Sequence, residues 1–251
     1  MVGVRTEEVW FDLDSKGSLY LLAHKNIKNT EIMSSNIDKY NYAHHARQEM
    51  AEFVQPKASR VLDVGCHTGG FGEHLKSQRL IEIWGVEPDK AAAEIARLFL
   101  DKVINHPFNN DADIPNQYFD VVIFNDVLEH LTDPWSALIL AKSKLKKNGQ
   151  VIASLPNLLH INNLLHILRD RNFQYEPWGI RDKTHLRFFT QKSAIKMFEE
   201  CGYEVTSCKG INEDWWSPSL TRRLAFKLLP KLLEETKYIQ FAFVASPNRD
   251  D

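Results

Sequence analysis

Two acidic side chains and a histidine stand together in the segment NDVLEH, where they could take up a proton from a substrate. Asp126, Glu129 and His130 are spaced at i, i+3 and i+4, so a helical turn would place them on one face. A histidine suits this work because its pKa lies near neutral pH. A structural His130, hydrogen-bonded at a strand end, would explain the same pattern, and both interpretations stay open.

A glycine-rich loop, GCHTGGFG, follows the apolar run VLDV. Ligands of open parallel sheets bind beyond the carboxyl ends of the strands, and Gly65 would let a ligand approach the backbone because it lacks a Cβ atom. His67 stands where a dinucleotide fingerprint has its second glycine, and no Gly-Lys-Ser/Thr sequence follows. The loop therefore favours a nucleoside cofactor without phosphates over NAD or ATP, although a tight turn without a ligand is the alternative.

An acidic residue, Glu87, ends the second apolar run, about twenty residues after Gly65. In a nucleotide-binding sheet, an acid at this position accepts hydrogen bonds from the ribose hydroxyls. Pro88 follows at what would be the first helical position, so Glu87 is also a favourable acid at a helix N-terminus. The two roles are compatible, and Glu87 does not distinguish NAD from another nucleoside cofactor.

The elements that would position these residues alternate regularly from Arg60 onward. Short apolar runs predict seven strands, in the segments RVLDVG, IEIWGVE, VI, FDVVIFND, QVIASLPN, YEVTSC and YIQFAFVAS. Amphipathic stretches between the strands predict four helices. The first follows the glycine loop and ends at about Gln78, and the others span 88–101, 134–147 and 190–201. This alternation predicts an α/β protein with a doubly wound, mostly parallel sheet.

The chain outside this alternation predicts three additions to one large domain. Residues 1–57 form an N-terminal helical cap segment, with a helix over 40–54, and residues 58–251 form the domain. The connection 158–189 is long enough to be a lid over a binding site. A second insertion, 210–236, contains the basic amphipathic stretch RRLAFKLLPKLLEE, for which packing on the domain is favoured over a membrane-surface or partner helix.

Composition restricts the partners and the compartment. The net charge of -2 over 251 residues provides no basic field for nucleic acid. The three cysteines are odd in number and form no Cys-x-x-Cys, so we expect reduced thiols in a cytoplasmic protein and no structural zinc. The acidic N-terminus predicts no signal peptide, and no apolar run reaches the ~18 residues of a transmembrane segment. A peripheral membrane contact and the oligomeric state stay open.

Five motifs in this order and spacing resemble the class I S-adenosylmethionine-dependent methyltransferases: VLDVGCHTGGFG, GVEPD, FDVVIFNDVLEHLTDP, LKKNGQVIASLPN and KTHLRFFTQKSAIKMFEECGYEV. They look closest to the branch that includes ubiquinone-biosynthesis O-methyltransferases and many glycan-pathway methyltransferases. The resemblance covers residues 40 to 209 and recurs at the last strand. It implies S-adenosyl-L-methionine as the cofactor and a seven-stranded Rossmann-like sheet of order 3-2-1-4-5-7-6, with strand 7 antiparallel.

The same resemblance implies which residues bind the cofactor. Those expected to contact it are Tyr42, Arg47, Asp63, Gly65, Cys66, Glu87, Phe108, Asn109, Asn125 and Asp126. Asp63 and Gly65 would lie against the methionine part and Glu87 on the ribose. Phe108 and Asn109 would border the adenine, whereas Tyr42 and Arg47 would cover the methionine end. Two departures stand out: His67 replaces the usual middle glycine, and Asn109, Asn110, Asp111 and Asp113 all compete for the adenine contact.

The expected reaction is O-methylation of a saccharide or a related small molecule. The lid mixes aromatic and charged residues, which suits a polar ring. His185 in the lid joins His130 and Glu129 as a candidate catalytic residue. Ubiquinone-type relatives hold a divalent metal in the motif that matches Asp126, Glu129 and His130, but many glycan-pathway relatives share Leu-Glu-His without needing one, so no metal is predicted.

Three alternatives remain at this point. The first is a metal-using methyltransferase of a quinone-like phenol. The second is an NAD-dependent oxidoreductase on a similar sheet, against which His67 and the 125–130 motif count. The third is a module that binds the cofactor but is inactive and regulatory.

Overall fold

The computed structural model describes residues 10–13, 19–22, 46–213, 220–229 and 233–248. The chain divides into two units, residues 1–43 and 44–251. In the first unit, strands β1 (Trp10–Leu13) and β2 (Leu19–Leu22) form an antiparallel pair, which the sequence analysis did not predict. The predicted helix over 40–54 is described only from residue 46, where it forms the short helix α1 (Gln48–Ala51). Tyr42 lies outside the described residues.

A seven-stranded sheet forms the second unit. Its strands are β3 (Arg60–Val64), β4 (Glu82–Val86), β5 (Lys102–Ile104), β6 (Phe119–Asn125), β7 (Leu145–Pro156), β8 (Tyr203–Ile211) and β9 (Gln240–Pro247). They are ordered β5-β4-β3-β6-β7-β9-β8, and β9 runs antiparallel to both of its neighbours. This confirms the predicted order 3-2-1-4-5-7-6 with strand 7 antiparallel.

Helices connect the strands and cover the sheet. They are α2 (Gly70–Gln78), α3 (Lys90–Ala96), α4 (Pro134–Lys144), α5 (Ile161–Asp170), α6 (Gln191–Glu200) and α7 (Leu220–Leu228). Side chains of Asp89, Asp133 and Thr190 cap α3, α4 and α6 by accepting backbone N–H bonds. Two helices are shorter than predicted: α3 ends at Ala96, and α4 ends at Lys144 because Leu145 pairs with Phe119 in the sheet.

The core has two layers, one on each face of the sheet. Along β6, Val121 and Ile123 pack into one apolar cluster, whereas Val122 and Phe124 pack into the other. Alternate side chains of a strand point to opposite faces, so an apolar run without alternation means that both faces are covered. The apolar runs of the sequence therefore predicted these strands correctly.

The two predicted insertions contain helices. The connection 158–189 carries α5 and rejoins the sheet where Leu158 N donates to the Phe189 carbonyl oxygen, 2.9 Å away. The segment 210–236 begins inside β8 and carries α7. Within the described part of the chain, every helix is too short or too polar to cross a bilayer.

Candidate cofactor and acceptor site

The loop after β3 depends on glycine. Gly65 has a φ of 71°, in the left-handed region that favours glycine. A Cβ atom at Gly65 would lie 2.6 Å from Cγ2 of Val127, which follows β6. The backbone N–H of Gly65 donates to the Val86 carbonyl oxygen at the end of β4, 2.8 Å away. The carboxyl ends of β3, β4 and β6 thus meet around Gly65, where the sequence predicts the cofactor.

His67, which departs from the usual glycine, adopts a glycine-like backbone. Its φ is 47°, which is uncommon for a residue with a side chain. Its N–H donates to Oε2 of Glu87, 2.9 Å away, while Oε1 of Glu87 accepts from the Asp89 N–H at 2.8 Å. These two bonds hold the buried Glu87 carboxylate between the loop and the start of α3. Each oxygen keeps a further lone pair, as a contact with ribose hydroxyls would need.

Cys66 turns its side chain into the core. Its Sγ atom lies where Gly85 leaves space, since a Cβ atom at Gly85 would be 2.4 Å from it. Burial, and then the charge of Asp63, raises the pKa of the Cys66 thiol. The backbone of Cys66 is therefore the part that faces the loop, where its N–H donates to the Val86 carbonyl oxygen at 3.2 Å.

Two buried polar side chains near the loop have unused hydrogen-bonding capacity. Asp63 is 1% exposed, and neither carboxylate oxygen finds a hydrogen-bond partner among the described residues. Burial, and then the nearby Glu87, raises its pKa to about 8. The amide oxygen and nitrogen of Asn125, at the end of β6, are likewise buried and unpartnered within the described ranges. A bound group with an ammonium and a carboxylate, such as the methionine end of the cofactor, fits these two side chains.

Asp126 lies at the centre of a polar network beside Asn125. Its Oδ1 accepts from Oγ of Ser154 at 2.6 Å and from Nε2 of Gln240 at 2.7 Å, and its Oδ2 pairs with the guanidinium of Arg47. Arg47 also donates to Ser154 Oγ at 3.1 Å. The network therefore joins the turn before α1 to β6, β7 and β9. Sequence reasoning missed Ser154 and Gln240, although a serine in the apolar run VIASLP was a usable signal.

The residues predicted to border the adenine have structural contacts of their own. The ring of Phe108 packs edge-on against Phe124, with centroids 5.8 Å apart. Oδ1 of Asn109 accepts from the Asp111 N–H at 3.0 Å, which forms a turn. Asn105 connects this region to the ribose position, because its Nδ2 donates to the Glu87 carbonyl oxygen at 2.8 Å. The adenine contact itself stays a prediction.

The predicted catalytic residues come together where the lid meets the turn Leu128–His130. The backbone carbonyl oxygen of Glu129 accepts from the N–H groups of Leu186 and Arg187, at 2.8 and 3.0 Å. Its carboxyl group is fully buried without a hydrogen-bond partner in the described structure, and burial, then Asp126, raises its pKa well above the usual value. Nε2 of His185 lies 3.9 Å from Glu129 Oε1.

Both histidines are oriented by carbonyl oxygens. Nδ1 of His185 lies 3.2 Å from the Ile180 carbonyl oxygen, and Nδ1 of His130 lies 3.2 Å from that of Thr184. These contacts favour a proton on each Nδ1 and a lone pair on each Nε2. Burial, and then the charge of His130, lowers the pKa of His185, so its ring is neutral near pH 7. The rings meet edge to face, with centroids 4.7 Å apart.

The arrangement around Glu129 also suits a divalent cation. Among the described residues, the ligand atoms of Glu129, His130 and His185 lie within 4.8 Å of one another. Metal-binding histidines typically donate their other N–H to a carbonyl oxygen, as these two do. Asp126, which the resemblance places in the metal set of ubiquinone-type relatives, is instead bound by Arg47. The structure thus brings His185 together with Glu129 and His130, whereas the resemblance implied Asp126 as the third metal ligand.

A cavity of about 750 Å³ lies within the lid segment, between α5 and the loop that contains Arg181. Its polar lining consists of His160, Asn162, Asn163, His166, Arg169, Glu176 and Arg181, and its apolar lining includes Leu165, Ile180 and Ile239. Two of its lining residues are connected to the groups described above: the Ile180 carbonyl oxygen contacts Nδ1 of His185, and Ile239 precedes Gln240, which binds Asp126. Of the aromatic residues in the lid, Tyr175 and Trp178 are exposed.

Arg181 organises one wall of this cavity. It is only 8% exposed, and its Nη1 donates to Oδ1 of Asn163 on α5, 3.0 Å away. Its Nε donates to the Gln174 carbonyl oxygen at 3.1 Å, and its Nη2 pairs with Glu176. The bond to Asn163 holds the lid loop against α5, and the other two bonds stabilise the loop itself. The sequence placed Arg181 in the lid but gave no sign of its partners.

The seven-stranded sheet, with a glycine loop and an acid at the ends of its first two strands, defines the class I S-adenosylmethionine-dependent methyltransferases. The sequence matches the methyltransferase domain family over residues 38–208, and the chain belongs to that family. Its cofactor is S-adenosylmethionine. The roles of Asp63, Glu87 and Asn125 in binding it stay predictions.

The named proteins to which the chain is similar are also methyltransferases. A ubiquinone biosynthesis O-methyltransferase of Alkalilimnicola ehrlichii is 35% identical over 161 residues, which cover 61% of this chain and 63% of that protein. One of Vibrio atlanticus is 26% identical over 160 residues, covering 61% and 66%. The chain thus spans somewhat less than two thirds of the length of these relatives. A SAM-dependent methyltransferase structure from Archaeoglobus fulgidus shares the fold, with a TM-score of 0.58, 17% identity and coverage of 84% and 98%.

Proposed function

We propose that this chain transfers a methyl group from S-adenosylmethionine to a hydroxyl group of a saccharide or a related small molecule. The cavity within the lid segment carries the proposal. Its lining alternates amide, imidazole, guanidinium and carboxylate groups with a few aliphatic side chains, as suits a ring with several hydroxyls. The lining residue Ile180 contacts His185, and the lining residue Ile239 precedes Gln240 of the Asp126 network, so we expect an acceptor bound in the cavity to reach the methionine end of the cofactor.

The bound cofactor supplies a methyl group on a sulfonium centre, which an oxygen nucleophile can attack. The residues of the chain would position the acceptor hydroxyl, exclude water and take up its proton. Nε2 of His130 and Nε2 of His185 are the candidate acceptors of that proton, because each Nδ1 is held by a carbonyl oxygen. Glu129, whose pKa is raised well above its usual value by burial, would orient His185 from its buried position.

Two measurements test this proposal. Calorimetry should show binding of S-adenosylhomocysteine to the pure protein, and mass spectrometry should show methyl transfer to one member of a panel of nucleotide sugars and oligosaccharides. His130→Gln and His185→Gln should each preserve cofactor binding, and the variant that removes the base should lower turnover about 10²- to 10⁴-fold. Absence of cofactor binding would refute the methyltransferase itself. Binding with no product from any acceptor would favour a regulatory module.

A second candidate is a metal-dependent methyltransferase of a quinone-like phenol. The convergence of Glu129, His130 and His185 favours it, and so do the names of the relatives. Activity on a catechol that is lost in a chelator and restored by magnesium or zinc would support this candidate. Full activity in the chelator would leave the saccharide proposal without metal as the better account.

The partner would then be a small molecule, and the compartment the cytoplasm. All three cysteines are free, with Cys66 and Cys201 buried and Cys208 partly so, which supports a reducing environment. Retention of activity in a strong reductant would agree with this placement. Loss of activity there would argue for a disulfide between subunits.

A further inference from the structure

Helix α7 carries an apolar stripe that faces solvent. Leu220, Leu224 and Leu228 are 82%, 57% and 70% exposed, and they recur every four residues, so they lie on one side of the helix. Leu229, just after the helix, is 52% exposed. The sequence analysis favoured packing of this segment on the domain, but these leucines do not pack there. A stripe of this kind on a folded protein marks a surface that something else covers.

Basic residues border the stripe. At 100° per residue, Arg223 and Lys227 fall next to Leu220 and Leu224 on the helix surface, and both are exposed. In the sequence, four basic residues and no acidic one occur between Ser217 and Leu233, whereas the whole chain has a net charge of -2. Positive charge is therefore concentrated where the leucines are exposed.

We infer that α7 docks on the anionic surface of a lipid bilayer. Leucines at the acyl boundary with lysine and arginine at the headgroup level form the pattern of helices that lie in a membrane interface. The cores of protein interfaces, by contrast, are depleted in lysine. The aliphatic stems of Arg223 and Lys227 would reach along the stripe while their charges contact anionic headgroups. This binding does not depend on the proposed methyl transfer.

Vesicle co-sedimentation of the full chain tests the inference. The chain should bind phosphatidylcholine vesicles that contain about one third phosphatidylglycerol at least tenfold more tightly than pure phosphatidylcholine vesicles, and high salt should weaken the binding. Leu224→Glu/Leu228→Glu should reduce binding at least tenfold, and Arg223→Gln/Lys227→Gln should remove the preference for the anionic lipid. Because all four positions are exposed, binding of S-adenosylhomocysteine should be unchanged, which shows that the variants fold.

Leu80→Glu is the matched control, because Leu80 is a fully exposed leucine outside α7. This variant should bind vesicles as the unaltered chain does. The inference is overturned if the unaltered chain ignores anionic vesicles, or if the double leucine variant binds as tightly as the unaltered chain. Sedimentation equilibrium without lipid tests whether a second copy of the chain covers the stripe instead. A dimer that the double leucine variant abolishes would assign the stripe to self-association and overturn membrane docking.

Discussion

The guanidinium of Arg47 pairs with the carboxylate of Asp126, although 79 positions separate them in the sequence. This ion pair connects the turn before α1 to the carboxyl end of β6, where the methionine end of the cofactor is expected. Ser154 binds both partners, so the pair is fixed by β7 as well. The turn before α1 and the carboxyl end of the central strand are therefore held together by one polar network.

Removing Arg47 should weaken both the fold and the site. In Arg47→Ala the partly buried Asp126 carboxylate loses its cation, so we expect a loss of about 2 kcal/mol in the free energy of unfolding and about tenfold weaker binding of S-adenosylhomocysteine. Chemical denaturation and calorimetry measure the two effects. Arg97→Ala, which breaks the surface pair with Glu94, should cost less than about 1 kcal/mol. Equal effects of the two substitutions would contradict a special role for Arg47.

Gly65→Ala should be severely destabilising. The new Cβ would collide with Val127 and would also force a left-handed residue with a side chain, so we expect a loss of about 2–4 kcal/mol. Gly179→Ala is the control, because Gly179 has a φ of 82° but no atom lies within 4 Å of the position that its new Cβ would take. It should cost only about 1 kcal/mol, from backbone strain alone. Thermal melts separate the collision from the strain, and Val127→Ala should partly rescue the Gly65 variant.

Asp63→Asn should stabilise the cofactor-free protein at high pH. The folded state raises the pKa of Asp63 from 3.8 to about 8, so the folded state holds the proton more tightly than the unfolded state. The contribution of Asp63 to the stability of the unaltered protein is therefore full below about pH 4 and is lost as the pH rises to about 8, by an amount on the order of 5–6 kcal/mol. Melting temperatures of the two proteins should diverge across this range, with the variant higher.

Binding of the cofactor should reverse the stability advantage of the Asp63→Asn variant at high pH. An ammonium group near Asp63 favours the carboxylate, so S-adenosylhomocysteine should stabilise the unaltered protein more than the Asn variant at pH 8 and bind it at least tenfold more tightly. Equal stabilisation of both proteins would show that Asp63 does not contact the cofactor's amino group.

Arg181→Ala should weaken binding of the acceptor and leave binding of the cofactor unchanged. Loss of the bonds to Asn163 and Glu176 frees the lid wall, so the KM for the acceptor should rise about tenfold or more, while the affinity for S-adenosylhomocysteine stays the same. Lys196→Ala is the matched control, because its side chain is 74% exposed, pairs with Glu200 and lies outside the lining of the cavity. If both variants leave KM unchanged, the acceptor does not occupy this cavity.

The sheet could be predicted from the sequence because strands buried on both faces appear as apolar runs, and the site could be placed because Gly65, Glu87 and Asn125 each end such a run. Contacts between distant segments could not be predicted from the sequence. Nothing local in Arg47 or Arg181 specifies Asp126 or Asn163 as a partner. Residue type likewise did not predict that His67 takes a backbone conformation typical of glycine, in which its N–H binds Glu87.

The place of Cys66 beneath Gly85 has a consequence for chemical labelling. A buried thiol with a raised pKa offers almost no thiolate, so alkylating reagents and mild oxidants will not attack the cofactor loop of the folded protein. Reaction at Cys66 requires the loop to separate from β4. The rate at which Cys66 is labelled therefore reports how often the cofactor loop opens, and a bound cofactor should slow that rate.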